Sequence, residues 1–299
     1  LKKSLKHIGE DALIERLVRL VPCDSDPAAG PGDDCAVIDL GRGRPLQLLK
    51  TDAMVEGVHF TSDAPARKIG WKAAARVLSD FAAMGGTPDR FLITIALPRH
   101  WPVARIEGIY RGFGDCLSHH GGVLAGGETT RVPEGSAAVI SIAATGKVTR
   151  KHVVLRSGGE PGDLVLVTGR LGGSLAGKHL NFKPRLEEAA WLVRHLKPSA
   201  MMDLSDGVAK DLPRLAKASG CGFALDENAV PRTRGCTVQQ ALGDGEDFEL
   251  LFTLRSRRWT QAAEAAWRGA FPKLPLTVIG FLTESASSPK LRGGWDHFG

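Results

Sequence analysis

A chain of 299 residues with 43% hydrophobic and 24% charged residues is ordinary globular material, long enough for two domains and far from disordered or fibrous compositions. Its net charge of +6 is dispersed and aromatics are only 6%, so a solvated surface or small anionic ligands account for the basic excess, and no specific nucleic-acid partner is expected. Apolar runs such as "AAVISIAA" (137–144) are too short for a membrane span, the N-terminal stretch lacks the apolar core of a signal peptide, and the five cysteines form no C-x-x-C pair; this points to a cytoplasmic protein without membrane, zinc cage or disulfide framework.

Apolar periodicity predicts a first helix over 11–20. Next, "GPGDDCAVIDL" (30–40) sets Asp33 and Asp34 between a Gly-Pro-Gly turn and a strand expected over 35–40. Two carboxylates about 4 Å apart repel by roughly 4 kcal/mol at an effective dielectric near 20, so the pair calls for a compensating cation. A strand over 46–54 carries Asp52 in "LLKTDAM". The helix expected over 68–85 is broadly apolar through Trp71, Ala74, Ala75, Leu78, Phe81 and Ala82, with Asp80 in the middle of the span rather than at a cap. A buried carboxylate there needs a polar or charged partner. A strand over 91–97, a helix over 104–120 and a strand over 137–148 follow. Between the last two lies Glu128, in "GGVLAGGETT" (121–130). That stretch, "RSGGEPGD" (156–163) and "TGRLGGSLAG" (168–177) resemble loops whose bare backbone N–H groups cradle phosphate, although each taken alone is more often a tight turn. None is a Walker A sequence or a G-x-G-x-x-G after a strand.

The charged, Gly-rich segment 148–163 places a domain boundary near residue 150, dividing the chain into 1–149 and 150–299. In the second part, strands are expected over 163–168, 222–226, 248–254 and 276–283, and helices over 185–196, 208–219 and 260–270. Asp203 and Asp206, in "MMDLSDG", precede the helix from 208, which Asp206 could simply cap. The stretch 226–247 has too few periodic apolar residues for a firm element and reads as a loop able to close over a ligand. The total is mixed α/β content. Taken singly, each acid is more often a cap or turn residue; as a set of hard oxygen ligands with no Cys or His cluster nearby, they favour Mg²⁺.

The ordered motifs "GDDCAVI", "KTDAMVEGVHF", "LSDFAAMGGTP", "AGGETT", "RSGGEPGD", "DLSDG", "GEDFELLFT" and "GWDHFG" resemble the thiamine-monophosphate kinases from about residue 30 to the end. The wider group of this fold includes aminoimidazole ribonucleotide synthetase, selenophosphate synthetase and a hydrogenase-maturation protein. The resemblance implies an α/β protein of α+β type with a two-domain aminoimidazole ribonucleotide synthetase-like fold. Its N-terminal ATP- and Mg-binding domain would pair sheets into a barrel across a homodimer, and its C-terminal domain would be α/β. It also implies ATP-dependent, Mg²⁺-assisted, direct in-line phosphorylation of thiamine monophosphate to thiamine diphosphate, with several Mg²⁺ ions.

Carried over motif by motif, the resemblance makes Asp34, Thr51, Asp52, Asp80, Glu128, Asp203 and Asp206 metal ligands, with Asp34, Asp52, Asp80 and Asp203 catalytic. Gly127, Glu128, Arg156 and Ser205 would touch ATP, and His59, Glu246 and Trp295 would hold the thiamine compound. Outside the resemblance, Arg156 also reads as an interdomain salt bridge, Trp295 as an aromatic pinning the tail and His59 as a structural histidine. Three positions depart from the family pattern: "GGET" stands for the usual "GGDT", Lys50 replaces a small hydroxyl residue before "TD", and 174–200 is shorter, so its lid cannot be copied from other members. The chemistry suits the residues. A phosphate monoester has a second pKa near 6, so the acceptor is already nucleophilic at neutral pH and no Asp-His base is needed. The alternatives are another ATP-using synthetase of this fold and a catalytically weakened nucleotide or metal binder, separable by acceptor-dependent ADP release.

Overall fold

The computed structural model describes residues 4–24, 30–284 and 288–298, and these build two five-stranded sheets with helices packed on them. The first sheet holds β1 (Ala36–Ile38), β2 (Leu46–Val55), β3 (Thr87–Leu97), β4 (Val123–Arg131) and β5 (Val139–Val148), in the order β1-β2-β5-β3-β4. All its pairings are antiparallel except β3 with β4. Those two strands run parallel because the helix α3 (Val103–His120) supplies the crossover that parallel strands require. The second sheet holds β6 (Leu164–Thr168), β7 (Ala200–Asp203), β8 (Gly222–Leu225), β9 (Leu250–Leu254) and β10 (Leu276–Thr283), in the order β7-β9-β6-β10-β8, antiparallel throughout. The mixed α/β class holds.

The remaining helices are α1 (Glu10–Val18), α2 (Ala66–Ala83), α4 (Leu186–His195), α5 (Val208–Ala218), α6 (Val238–Gly243) and α7 (Gln261–Ala270). One of them organises the site. Helix α2 is buried along most of its length: Ile69, Ala73, Val77 and Leu78 join the core over the first sheet, while Ala82 and Ala83 pack with Val154, Leu192 and Phe252 in a core of the second part. Its contact with α3 is close because Gly70 and Gly112 have no side chains. A Cβ on Gly70 would stand 1.8 Å from the Ile109 carbonyl oxygen, and one on Gly112 would stand 1.7 Å from that of Arg67.

Four elements differ from the sequence expectation. The stretch 121–130, expected as a phosphate-cradling loop, is largely strand β4, because parallel pairing with β3 uses its backbone groups. Strand β7 was not expected; it is four residues long, fully buried, and carries no alternation to reveal it. The stretch 226–247 contains α6, fixed by a capping box in which Thr237 accepts from the Gln240 N–H and Gln240 reaches back to the Thr237 N–H. Asp80 lies in the last turn of α2 rather than its middle, because the helix runs from 66 to 83.

Candidate functional site

Polar residues recur on α2 at Lys72, Arg76, Ser79 and Asp80, a spacing that keeps them along one side of a helix. Each meets a partner from another element. Lys72 Nζ donates to Glu246 Oε2 at 2.7 Å, Arg76 Nη2 to Asp52 Oδ1 at 3.0 Å, and Ser79 Oγ to Asp203 Oδ2 at 2.6 Å, while Asp80 Oδ1 accepts from Lys50 Nζ at 2.7 Å. The helix therefore ties β2, the end of β7 and the "GEDFELLF" segment into one polar seam.

At the seam's C-terminal end, Asp34, Asp80 and Asp203 are buried and offer carboxylate oxygens all within 4.8 Å of one another. They come from three distant segments. Asp34 leaves the Gly-Pro-Gly turn and accepts from Arg156 Nη2 at 2.7 Å; Asp33 turns the other way to accept from the Arg156 backbone N–H at 3.0 Å. Burial and repulsion from Asp34 push the Asp33 carboxyl up to about 6, against the pull of Arg156. Asp203 is likewise pushed up to about 6, by burial and then by Asp34, with Ser79, Lys50 and Arg156 opposing. Lys50 is held above the usual ammonium range: burial opposes its charge, and Asp80 and Asp52 more than restore it. Asp34 Oδ2 is buried with no hydrogen-bond partner, an acceptor that a cation would satisfy.

At the other end of the seam, Lys72 is fully buried and Nζ also donates to the His59 carbonyl oxygen at 2.6 Å and meets His179 Nδ1 at 2.8 Å. Burial lowers Lys72 to about 8, with Glu246 opposing, so the ammonium persists at neutral pH. Burial raises the Glu246 carboxyl, but His179 and Lys72 together bring it down to about 2. The backbone is held in the left-handed region at Glu246 (φ 53°) and Phe248 (φ 51°), conformations that cost about 1–3 kcal/mol each for non-glycine residues. Their N–H groups donate to the carbonyl oxygens of Ser205 at 2.6 Å and Leu204 at 2.8 Å, which fastens Glu246 beside the strand end that bears Asp203.

His59 Nδ1 accepts the Val55 N–H at 3.0 Å, so the neutral ring carries its proton on Nε2. Burial, then Arg76, lowers this histidine to about 4. Its ring lies 5.6 Å from that of His297, which in turn lies 5.9 Å from the half-exposed indole of Trp295. The tail is anchored there by the Trp295 N–H, which donates to the Asp206 carbonyl oxygen at 2.9 Å. His59, Glu246 and Trp295 are thus linked, through Lys72 and His297.

The other expected acids are not members of the three-carboxylate cluster. Lys50 and Asp52 share the face of β2 that meets α2, whereas Thr51 is on the opposite, exposed face. Glu128 is exposed on the edge strand β4, opposite Thr94 of β3, and Gly127 precedes it where a Cβ would stand 2.0 Å from the Ile93 carbonyl oxygen. Asp206 accepts from Arg214 Nη1 at 2.5 Å on α5, and Ser205 is half-buried beside it. Sequence reasoning passed over Lys72, Arg76, Ser79, His179 and His297. The helical spacing from Lys72 to Asp80 was a readable signal for three of them; His179 and His297 gave none.

A family model described as "AIR synthase related protein, N-terminal domain" matches residues 32–148. The thiamine-monophosphate kinase of Synechococcus elongatus is 34% identical, with 99% of this chain and 98% of that protein covered. The thiamine-monophosphate kinase of Rhodopirellula baltica is 34% identical over 85% of this chain and 83% of its own length. Among solved structures, AaThiL complexed with AMPPCP and TMP superposes with a TM-score of 0.86 at 28% identity, covering 99% of both chains.

Proposed function

The chain belongs to the thiamine-monophosphate kinase family, and from that premise we propose that it transfers the terminal phosphoryl group of ATP to thiamine monophosphate, giving thiamine diphosphate and ADP. The observation that carries the reading at this chain's own residues is the meeting of Asp34, Asp80 and Asp203, three buried carboxylates drawn from separate segments, with an unsatisfied oxygen on Asp34. An all-oxygen set of this kind fits Mg²⁺. Asp34, Asp80 and Asp203 would hold it, with Asp52 and Asp206 as flanking acids that exchange their present arginine partners. Bound there, Mg²⁺ would supply charge neutralisation for phosphate oxygens.

The residues supply the rest. Arg76 Nη1 and Arg156 Nε are buried N–H groups without partners, donors suited to phosphate oxygens. Neutral His59 offers Nε2–H to an acceptor oxygen without taking a proton from it, which suits a phosphate that is already ionised. Glu246, whose charge Lys72 already matches, would contact the thiamine compound through its polar edge, and the indole of Trp295, 43% exposed, gives a cationic thiazolium a face to stack on. Gly127, Glu128 and Ser205 remain proposed nucleotide contacts outside the carboxylate cluster, and Thr51, whose side chain faces away from it, would reach a metal only through its backbone carbonyl.

We further propose a homodimer formed through the exposed face of the first sheet, where Leu49 and Leu92 are each nearly half exposed. The division into an ATP- and metal-binding part before residue 150 and an α/β part after it is supported by the two separate sheets. A cytoplasmic site of action suits a reaction that consumes ATP, and no helix among the described residues is long and apolar enough to cross a membrane. The test is direct: protein, thiamine monophosphate, ATP and Mg²⁺ should yield ADP and thiamine diphosphate in equal amounts. Absence of turnover by folded protein defeats the reading.

A further inference from the structure

The acid centre contains a cation of its own. Lys50 lies on the α2-facing side of β2, and its ammonium donates to Asp80 Oδ1 at 2.7 Å, where Asp80 is one of the three carboxylates that converge. The side chain is 22% exposed, against 9% for Asp80, so water does little to weaken this pair. Asp34 has Arg156 as its fixed cation at 2.7 Å. Asp203 has a neutral hydroxyl, Ser79 Oγ, at 2.6 Å. Two of the three carboxylates are thus neutralised by side chains before any ion arrives, and the third is not. The orphaned Asp34 Oδ2 shows that the set still has an acceptor to spare.

We propose that Lys50 serves as a resident monovalent cation in the metal centre, standing on Asp80 in place of one divalent ion, so that this chain binds one metal ion fewer than the same carboxylates would without the lysine. The proposal rests on the kinase reading above. Its physical ground is exclusion: an ammonium seated on Asp80 Oδ1 takes the place a second divalent ion would need there and repels it strongly where water is scarce, while the ion shared with Asp34 and Asp203 would use the other Asp80 oxygen. Charge supplied by a side chain carries no dependence on metal concentration, so the centre needs less Mg²⁺ to assemble.

The experiment counts Mn²⁺ bound per protomer by electron paramagnetic resonance titration, in the presence of a non-hydrolysable ATP analogue, for the wild type and for Lys50→Ser, Lys50→Met and Lys50→Arg. The serine and methionine variants should each bind one more Mn²⁺ than the wild type, more tightly in Lys50→Ser, whose hydroxyl can act as a ligand. Lys50→Arg, which keeps the charge, should retain the wild-type number. Should metal-free Lys50→Ser fail to fold, Mn²⁺ should restore its native melting transition, because the ion then supplies the charge on Asp80; no rescue overturns the proposal. Equal counts in all four proteins also overturn it and leave the kinase reading standing, whereas a wild type that binds no Mn²⁺ defeats the metal reading itself.

Discussion

The two ends of the polar seam along α2 hold opposite kinds of charge cluster. At Lys72, positive and negative groups are matched inside the protein: the ammonium has Glu246, His179 and the His59 carbonyl, and Glu246 is correspondingly driven to about 2. At Asp80 the carboxylates outnumber their fixed cations, Asp203 is pushed up to about 6 and Asp34 keeps an unsatisfied oxygen. A balanced cluster is built to stay as it is, and an unbalanced one is built to receive something. Substitutions at the two ends should therefore act in opposite ways.

The largest effect is expected at Asp203. Asp203→Asn keeps a partner for Ser79 and removes one charge from the cluster, so turnover should fall by about 10²–10³ while the metal-free melting temperature stays level or rises. A destabilised protein would place Asp203 among the matched groups. At the other end, Glu246→Gln leaves the fully buried Lys72 without its carboxylate and should cost about 3 kcal/mol in chemical denaturation. A neutral outcome there would mean that His179 and the His59 carbonyl suffice.

Mg²⁺ sharpens the contrast next. At a hundredfold excess over its dissociation constant it should stabilise the wild type by about 2.7 kcal/mol, and Asp203→Asn should lose most of that gain. Since protons compete for the same oxygens, the gain should also fade as pH drops through about 6.

The smallest effect is in the pH dependence of the metal-free protein. Asp203, raised in the folded state, takes its proton before the unfolded chain does, so it adds stability as pH falls through 6 toward 3.8. His59, lowered to about 4, has the opposite sign: the unfolded chain protonates first, and stability is lost as pH falls from 6.5 toward 4. Each contributes on the order of 1 kcal/mol once solvent screening is allowed for. Asp203→Asn should steepen the loss on the acid side and His59→Asn should flatten it; matching profiles would refute the assignment of opposite signs.

Much of this architecture was legible because its elements are periodic. The helix seen at 66–83 was expected at 68–85, and β2, β5 and β10 alternate or carry β-branched residues that give strands away. Strand β7 was hidden because a short, fully buried segment has no polar face, and β4 because its glycines read as a loop until pairing with β3 accounts for them. Among site residues, Asp34, Asp80 and Asp203 were reachable as acids at unusual places, yet their convergence depends on long-range packing that no local pattern encodes. The partners of Asp80 and Glu246 show the same limit: Lys50 lies 30 residues from Asp80, and Lys72 lies 174 from Glu246.

The central claim is that the carboxylates of Asp34, Asp80 and Asp203 are held together for a divalent cation. Anomalous diffraction from crystals grown with Mn²⁺ and a non-hydrolysable ATP analogue tests it most directly. The account predicts a Mn²⁺ peak within coordination distance of oxygens from all three residues, with analogue phosphate on the same ion; bound analogue with Mn²⁺ elsewhere, and these carboxylates contacting only Lys50, Arg156 and Ser79, would contradict it.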